Sequence, residues 1–345
     1  MDTARRDIVV IGGSAGSLEA LSNLVCHLPG DLAAALFVVV HVLPVAESHL
    51  PRILDRRGAL RAKHAREGDA IRPGRILVAP PDHHMLLRRD RVELSRGPRE
   101  NSTRPAIDPL FRTAAAAFGR RVCGIVLSGN LDDGSEGLRQ IVAAGGMGIV
   151  QDPAEALHPE MPRNALARCS SSRRMPVHRI GRSLAEFVGA GPTDGDVAME
   201  AHSAQRDPVA AQAVIGAGDS QGTPTGLSCP ECHGVLWASP DPGDPTLHCR
   251  IGHAYTLETL QSQRRLEIEQ AMNAAVRALH EDSSLARHIA EKAERGGRQA
   301  MAHRFSIRAQ AAISHARVLE NLLRQPMLPP FTGEPIEGDG DSAAS

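Results

Sequence analysis

The chain is 345 residues long, carries 39 Lys and Arg against 40 Asp and Glu, and is only 2% aromatic. That length leaves room for more than one domain. The balanced charge excludes a general attraction to nucleic acid or anionic membrane, and so few aromatics leave little to stack single-stranded bases on. No apolar run reaches the ~20 residues of a membrane span. The N-terminus enters a strand pattern at once, without a basic and hydrophobic leader, and the six cysteines read as thiols of a reduced, cytoplasmic protein.

From residue 7 to about 188, short aliphatic runs alternate with amphipathic stretches. The runs DIVVIGG, ALFVVVHVLP, GRILVAPPD, CGIVLSGN and GMGIVQDP read as buried strands ending in turn residues. SLEALSNLVCHL, DPLFRTAAAAFG and SEGLRQIVAAGG between them have helical spacing, and MLLRRDRVELSRG reads as an inserted hairpin. This alternation predicts an α/β fold over 1–190, a doubly wound, mostly parallel sheet with flanking helices. Residues 191–226 read as a flexible linker, 227–256 as a small Cys/His module, 257–325 as a helical hairpin broken at Gly296-Gly297, and 326–345 as a disordered tail. The first hairpin helix puts Ile268, Met272, Ala275, Val276 and Leu279 on one face; the second does so with Phe305, Ala312, Ala316, Leu319 and Leu323.

The turn after the first strand, IGGSAGSLEAL, admits two readings. A dinucleotide fingerprint needs glycine where Ser14 and Ser17 stand, and a phosphate loop needs a Gly-Lys-Ser/Thr that is absent. Gly12-Gly13-Ser14-Ala15-Gly16 does satisfy G-x-S-x-G, which lifts a serine on a tight strand-to-helix turn. The plainer alternative is a Gly-Ser turn with Ser14 as a helix cap. A nucleophilic serine needs a base and an orienting group. His41 closes the second strand, and Asp132 and Asp133 follow a later one, so the carboxyl ends of neighbouring strands bring Ser14, His41 and Asp133 toward one site. Against this stand a satisfied strand-end histidine and a helix-capping aspartate.

In the module, Cys229-x2-Cys232 and Cys249-x3-His253 are spaced as two chelating turns of a structural zinc site with four protein ligands and no open position. His233 and His248 are substitute ligands, and an unmetallated hairpin with buried thiols is the alternative. The near-neutral charge argues against DNA binding, and the apolar helix faces suggest a regulatory partner or self-association.

The segments IGGSAGSLEAL, HVLP, VAPPDHHMLL, RPAIDPLF, VLSGNLDDGSEGL, AAGGMGIVQDP and EMP, in this order, resemble the catalytic domain of the chemotaxis protein-glutamate methylesterases, the CheB family. The resemblance implies hydrolysis of glutamyl methyl esters, and deamidation of glutamines, on the cytoplasmic domains of methyl-accepting chemoreceptors, with no cofactor for catalysis. It implies Ser14 as nucleophile, His41 as general base, Asp133 as the residue orienting it, and the Ala15 N–H as oxyanion donor. The expected alternatives are a methylesterase-like scaffold without turnover and a hydrolase for an unrelated substrate. Asn130 and Leu131 depart from the family pattern T-G-M-G-x-D-G, where methionine and glycine are usual, and a leucine is strained if that glycine has positive φ. Ser17 replaces a frequent glycine. The chain leaves no room ahead of Ser14 for the phospho-receiver domain of two-domain members, so its regulation is expected to differ.

Overall fold

A computed structural model of the protein describes residues 6–42, 48–189, 222–239 and 245–325. Seven strands form one sheet: β1 (Ile8–Gly13), β2 (Ala35–Val40), β3 (Arg61–His64), β4 (Arg75–Val78), β7 (Val122–Val126), β8 (Met147–Gln151) and β9 (Arg173–Met175). Their order is β3-β4-β2-β1-β7-β8-β9, and every neighbouring pair is parallel. Alternate β1 side chains point to opposite faces. Val9 and Ile11 enter a core with α1 (Ser17–Cys26), α2 (Leu50–Arg57) and α6 (Val177–Gly189), through Leu21, Leu24, Leu54, Ile180 and Leu184. Ile8 and Val10 enter the other, with α3 (Ile107–Phe118), α4 (Ser135–Ala143) and α5 (Glu160–Arg168). Burial on both faces is why the central strands read as unbroken aliphatic runs. The expected hairpin is present as antiparallel β5 (His84–Leu87) and β6 (Val92–Ser95), with Met85 and Leu87 in the second core.

The chain leaves β1 toward β2 on one side and later reaches β7 on its other side. The β1–β7 boundary is therefore the point where strand order reverses, and loops leaving the two strands diverge to open a crevice. The edge strands β3 and β9, RAKH and RRM, lack the aliphatic signal because edges carry charge.

Beyond the undescribed 190–221, a four-stranded antiparallel sheet runs β10 (Thr223–Ser228), β11 (Val235–Ala238), β12 (Leu247–Cys249), β13 (Ala254–Tyr255). β10 corrects the expected linker boundary at 226. Thr223 pairs with Ala238, and the Thr225 hydroxyl donates to the Leu236 carbonyl at 2.9 Å, so these residues belong to the sheet. The sheet's core holds Leu236, Leu247, Tyr255 and Leu260 around Cys229 and Cys249.

Helix α7 (Leu257–Arg295) and helix α8 (Gln299–Arg324) flank the Gly296-Gly297 turn. From Ser262 onward the chain forms a separate compact unit. Its seam is narrower than the sequence implied: Ala286, Ala290, Ala293, Ala302, Ala309, Ala312 and Ala316 are buried, whereas Ile268 and Ala275 are exposed. Small side chains let the two backbones approach, and the Ser283 hydroxyl donates across to the Ala309 carbonyl at 3.0 Å. No helix among the described residues is long and apolar enough to cross a membrane, and the tail 326–345 lies outside them.

Candidate active site

Ser14 directly follows β1 on a turn closed twice onto its carbonyl, by the Ser17 N–H at 3.1 Å and the Ser17 hydroxyl at 2.6 Å. Gly16 then enters α1 with φ 73°, a conformation only glycine takes freely. The Ser14 N–H donates to the Ser128 carbonyl at 2.9 Å, tying the turn to the loop after β7. His41 follows β2, with its N–H on the Gly13 carbonyl at 3.2 Å.

Three side chains meet in a line. His41 Nδ1 lies 3.1 Å from Ser14 Oγ, and His41 Nε2 lies 2.7 Å from Asp133 Oδ2. Asp133 is an acceptor there, so the proton sits on Nε2 and Nδ1 is left as the acceptor facing the serine hydroxyl. Asp133 also takes the Ile107 N–H at 2.7 Å, the Asp108 N–H at 3.1 Å and the Asn101 side-chain amide at 3.0 Å. The first two are free donors of the first turn of α3, whose own cap residue Ala106 offers no side-chain acceptor. Asp133 does cap a helix, but α3 rather than α4, which follows it. Burial pushes the Asp133 carboxyl up, yet the His41 ring, the Ile107 N–H and the Asn101 amide outweigh it and hold the group below the ordinary carboxylate value. Asp108 goes the other way: burial first, then the Asp133 charge, push it well above the usual range. The Asn101 amide bridges the two carboxyls, reaching Asp108 Oδ2 at 3.1 Å.

Asp132 turns away from His41. Its Oδ1 accepts from the Thr256 and Thr259 hydroxyls at 2.9 and 3.0 Å, while its buried Oδ2 has no partner among the described residues. Burial raises it to about 6 despite the two hydroxyls. Leu131 does have positive φ, 62°. The strain is held by the Leu131 N–H on Glu160 at 2.8 Å and by the Asn164 amide on the Leu131 carbonyl at 2.9 Å. Asn130 is exposed. The Ala15 N–H has no protein acceptor among the described residues, as an oxyanion donor requires. Gly129 is needed for closeness: a Cβ there would lie 2.9 Å from Ser14 Cβ.

Residues 9–184 match the CheB methylesterase family, about half of the chain. The chain belongs to the CheB methylesterase family. Its methylesterase domain is 39% identical over 185 residues to protein-glutamate methylesterase/protein-glutamine glutaminase 2 of Anaeromyxobacter dehalogenans, covering 54% of each chain. It is 35% identical over 194 residues to the protein of the same name from Methanosarcina acetivorans, again covering 54% of each. The chain thus spans about half the length of these curated relatives. A relative from Leptospira interrogans, 34% identical over 175 residues, is covered over 91% of its length. The crystal structure of the Thermotoga maritima CheB methylesterase catalytic domain superposes with a TM-score of 0.52 at 28% identity, covering 53% of this chain and 98% of that one.

Outside the matched region, the ligand atoms of Cys229, Cys232, Cys249 and His253 all lie within 4.8 Å of one another. Cys232 and Cys249 sulfurs are 3.5 Å apart, and His253 Nδ1 lies 3.4 and 3.5 Å from the sulfurs of Cys249 and Cys229. Tetrahedral ligands on Zn–S bonds of about 2.3 Å sit roughly 3.8 Å apart, so this donor set fits such an ion with little adjustment. Glu231 lies 3.3 Å from His253 Nε2, the usual place of a carboxylate that orients a ligating imidazole. His233 and His248 are not in the cluster. Asn101, Asp108 and Thr256 are the site's neighbours that sequence reasoning missed, because no motif joins residues this distant in the chain.

Proposed function

We propose that this protein is a serine hydrolase of the protein-glutamate methylesterase type, acting on glutamyl methyl esters of chemoreceptor cytoplasmic domains and deamidating glutamines there. The observation that carries the reading is the continuous contact from Ser14 Oγ through both His41 nitrogens to Asp133. His41 Nδ1 takes the hydroxyl proton as Ser14 Oγ attacks the ester carbonyl, and the Ala15 N–H serves the developing oxyanion. Collapse of the tetrahedral adduct breaks the bond to methoxide, which leaves as methanol with the proton from His41. Water then repeats the cycle on the glutamyl-serine ester and frees the carboxylate. For glutamine the leaving group is ammonia. Asp133 keeps the Nε2 proton in place and stabilises the imidazolium.

The four-ligand Cys/His cluster supports a structural zinc in a ribbon-like module, followed by a helical hairpin. The exposed Ile268, Leu285, Ile307 and Val318 on α7 and α8 support self-association or a regulatory partner. A chemoreceptor substrate would make the setting cytoplasmic. The test is methanol release from a methylated chemoreceptor cytoplasmic fragment, with Ser14→Ala beside the wild type. Loss of the nucleophile should lower release at least about 10³-fold. Equal release from both proteins overturns the reading.

A further inference from the structure

The Cys/His module is fastened to the same loop that carries the active-site aspartate. Asn101 sits at the junction, buried, with φ 49°, outside the regular elements. Its backbone N–H donates to the Ala254 carbonyl at 2.9 Å, one residue beyond the ligand His253. Its side-chain oxygen accepts the Thr256 N–H at 3.3 Å, and its amide donates to Asp133 Oδ1 at 3.0 Å. A second tie runs in parallel: the Thr256 and Thr259 hydroxyls hold Asp132, the residue before Asp133. Glu100 also pairs with Ala254 as an isolated bridge.

We propose that the Cys/His module is a clamp on the catalytic aspartate, with Asn101 as the positioning residue through which metal occupancy at Cys229, Cys232, Cys249 and His253 sets the reactivity of Ser14. This rests on the reading of Ser14, His41 and Asp133 as a catalytic triad. The physical basis is the module's small size. Among the described residues its buried cluster is six, Cys229, Leu236, Leu247, Cys249, Tyr255 and Leu260, and two of these belong to the Cys/His cluster itself. A core so small does not order a chain without a cross-link, so the bound ion and the folded module form one equilibrium. When the module opens, Asn101 loses the partners of its N–H and its side-chain oxygen together. A non-glycine residue at φ 49° is then no longer held in that conformation, and its amide leaves Asp133. Asp133 keeps the α3 N–H groups but faces Asp108 without the amide that bridges them.

The test uses full-length protein and a fluorophosphonate, which reports Ser14 reactivity whatever the natural ester. Ser14 Oγ bonds to phosphorus, fluoride leaves, and His41 takes the hydroxyl proton. Labelling of wild type and not of Ser14→Ala is the reference; if neither is labelled, the triad reading fails and the clamp with it. With the reference met, Cys249→Ser and chelator-stripped wild type should label more slowly by about 10- to 100-fold, the usual effect of losing an outer supporting contact. Asn101→Asp keeps the shape, the acceptor and all four ligands but removes the donor to Asp133, and should slow labelling to a similar extent. Where Cys249→Ser does not fold, Asn101→Asp and chelator-stripped wild type carry the test. Opening the module removes the Asn101 tie along with the Asp132 one, so Asn101→Gly added to Cys249→Ser should cost little more than Cys249→Ser alone. The downfield proton resonance of His41 Nε2–H on Asp133 should shift in stripped protein, and amide exchange over 99–103 should quicken. Wild-type labelling with an unmoved resonance after metal removal overturns the clamp. Independent, multiplying losses in the double variant overturn Asn101 as its route.

Discussion

Asp132 and Asp133 are neighbours with the same side chain and opposite environments. Asp133 collects donors and stays ionised beside His41; Asp132 is buried with one oxygen unpaired among the described residues and holds its proton up to about pH 6. The native state therefore binds the Asp132 proton where the unfolded chain releases it, and stability from this group falls as pH rises from about 4 to 6. Asp132→Asn removes that titration. Its unfolding free energy should gain on wild type by on the order of 2–3 kcal/mol between pH 4 and 7, read by urea denaturation at both pH values. Leu131 is a second residue-scale test. Its φ of 62° costs a leucine roughly 1–2 kcal/mol, part of which glycine gives back through the freedom of its unfolded chain. Leu131→Gly should therefore stabilise the protein by about 0.5–1 kcal/mol in the same denaturation assay.

At the scale of elements, the site is made by strand ends. β1 delivers Ser14, β2 delivers His41, and the loop after β7 delivers Asp133, whose carboxylate also caps α3. The close approach of that loop to the serine turn depends on Gly129. A methyl group there would lie 2.7 Å from Met161 Sδ and 2.9 Å from Ser14 Cβ; the thioether yields, the Ser14 turn does not. Gly129→Ala should displace Ser14 from His41 and cut ester turnover by on the order of 10- to 100-fold, while the melting temperature changes little. In the C-terminal unit, Ala309 lies in the buried alanine seam. Ala309→Leu overpacks it and should lower that unit's stability by about 1–3 kcal/mol, followed by the loss of helical circular dichroism on heating.

At the scale of the whole molecule, a sheet with two cores carries Ser14, His41 and Asp133, and a far smaller module leans on it with little core of its own among the described residues. On the proposed reading such a module depends on a bound metal. Purified protein should hold one zinc per chain by elemental analysis, and Cys249→Ser should lose it, with the module's amides exchanging faster.

The sequence alone determined the parallel α/β architecture, since strands buried on both faces must be continuously apolar. It also singled out Ser14 as a candidate, because G-x-S-x-G after such a strand is a local signal. His41 and Asp133 were legible one step further out, as residues at strand ends. The clustering of Cys229, Cys232, Cys249 and His253 was legible because they come in two short spacings. The charged edge strands and the alanine seam were not: edges suppress the aliphatic pattern, and alanines carry too weak a signal to mark a face. Only the tertiary structure decided that Asp133 caps α3, that His41 meets Ser14 through Nδ1, and that Asn101 joins Ala254 to Asp133. Those contacts link residues at least 25 positions apart. No local pattern records them, because hydrogen bonds over such distances are set by how the elements pack.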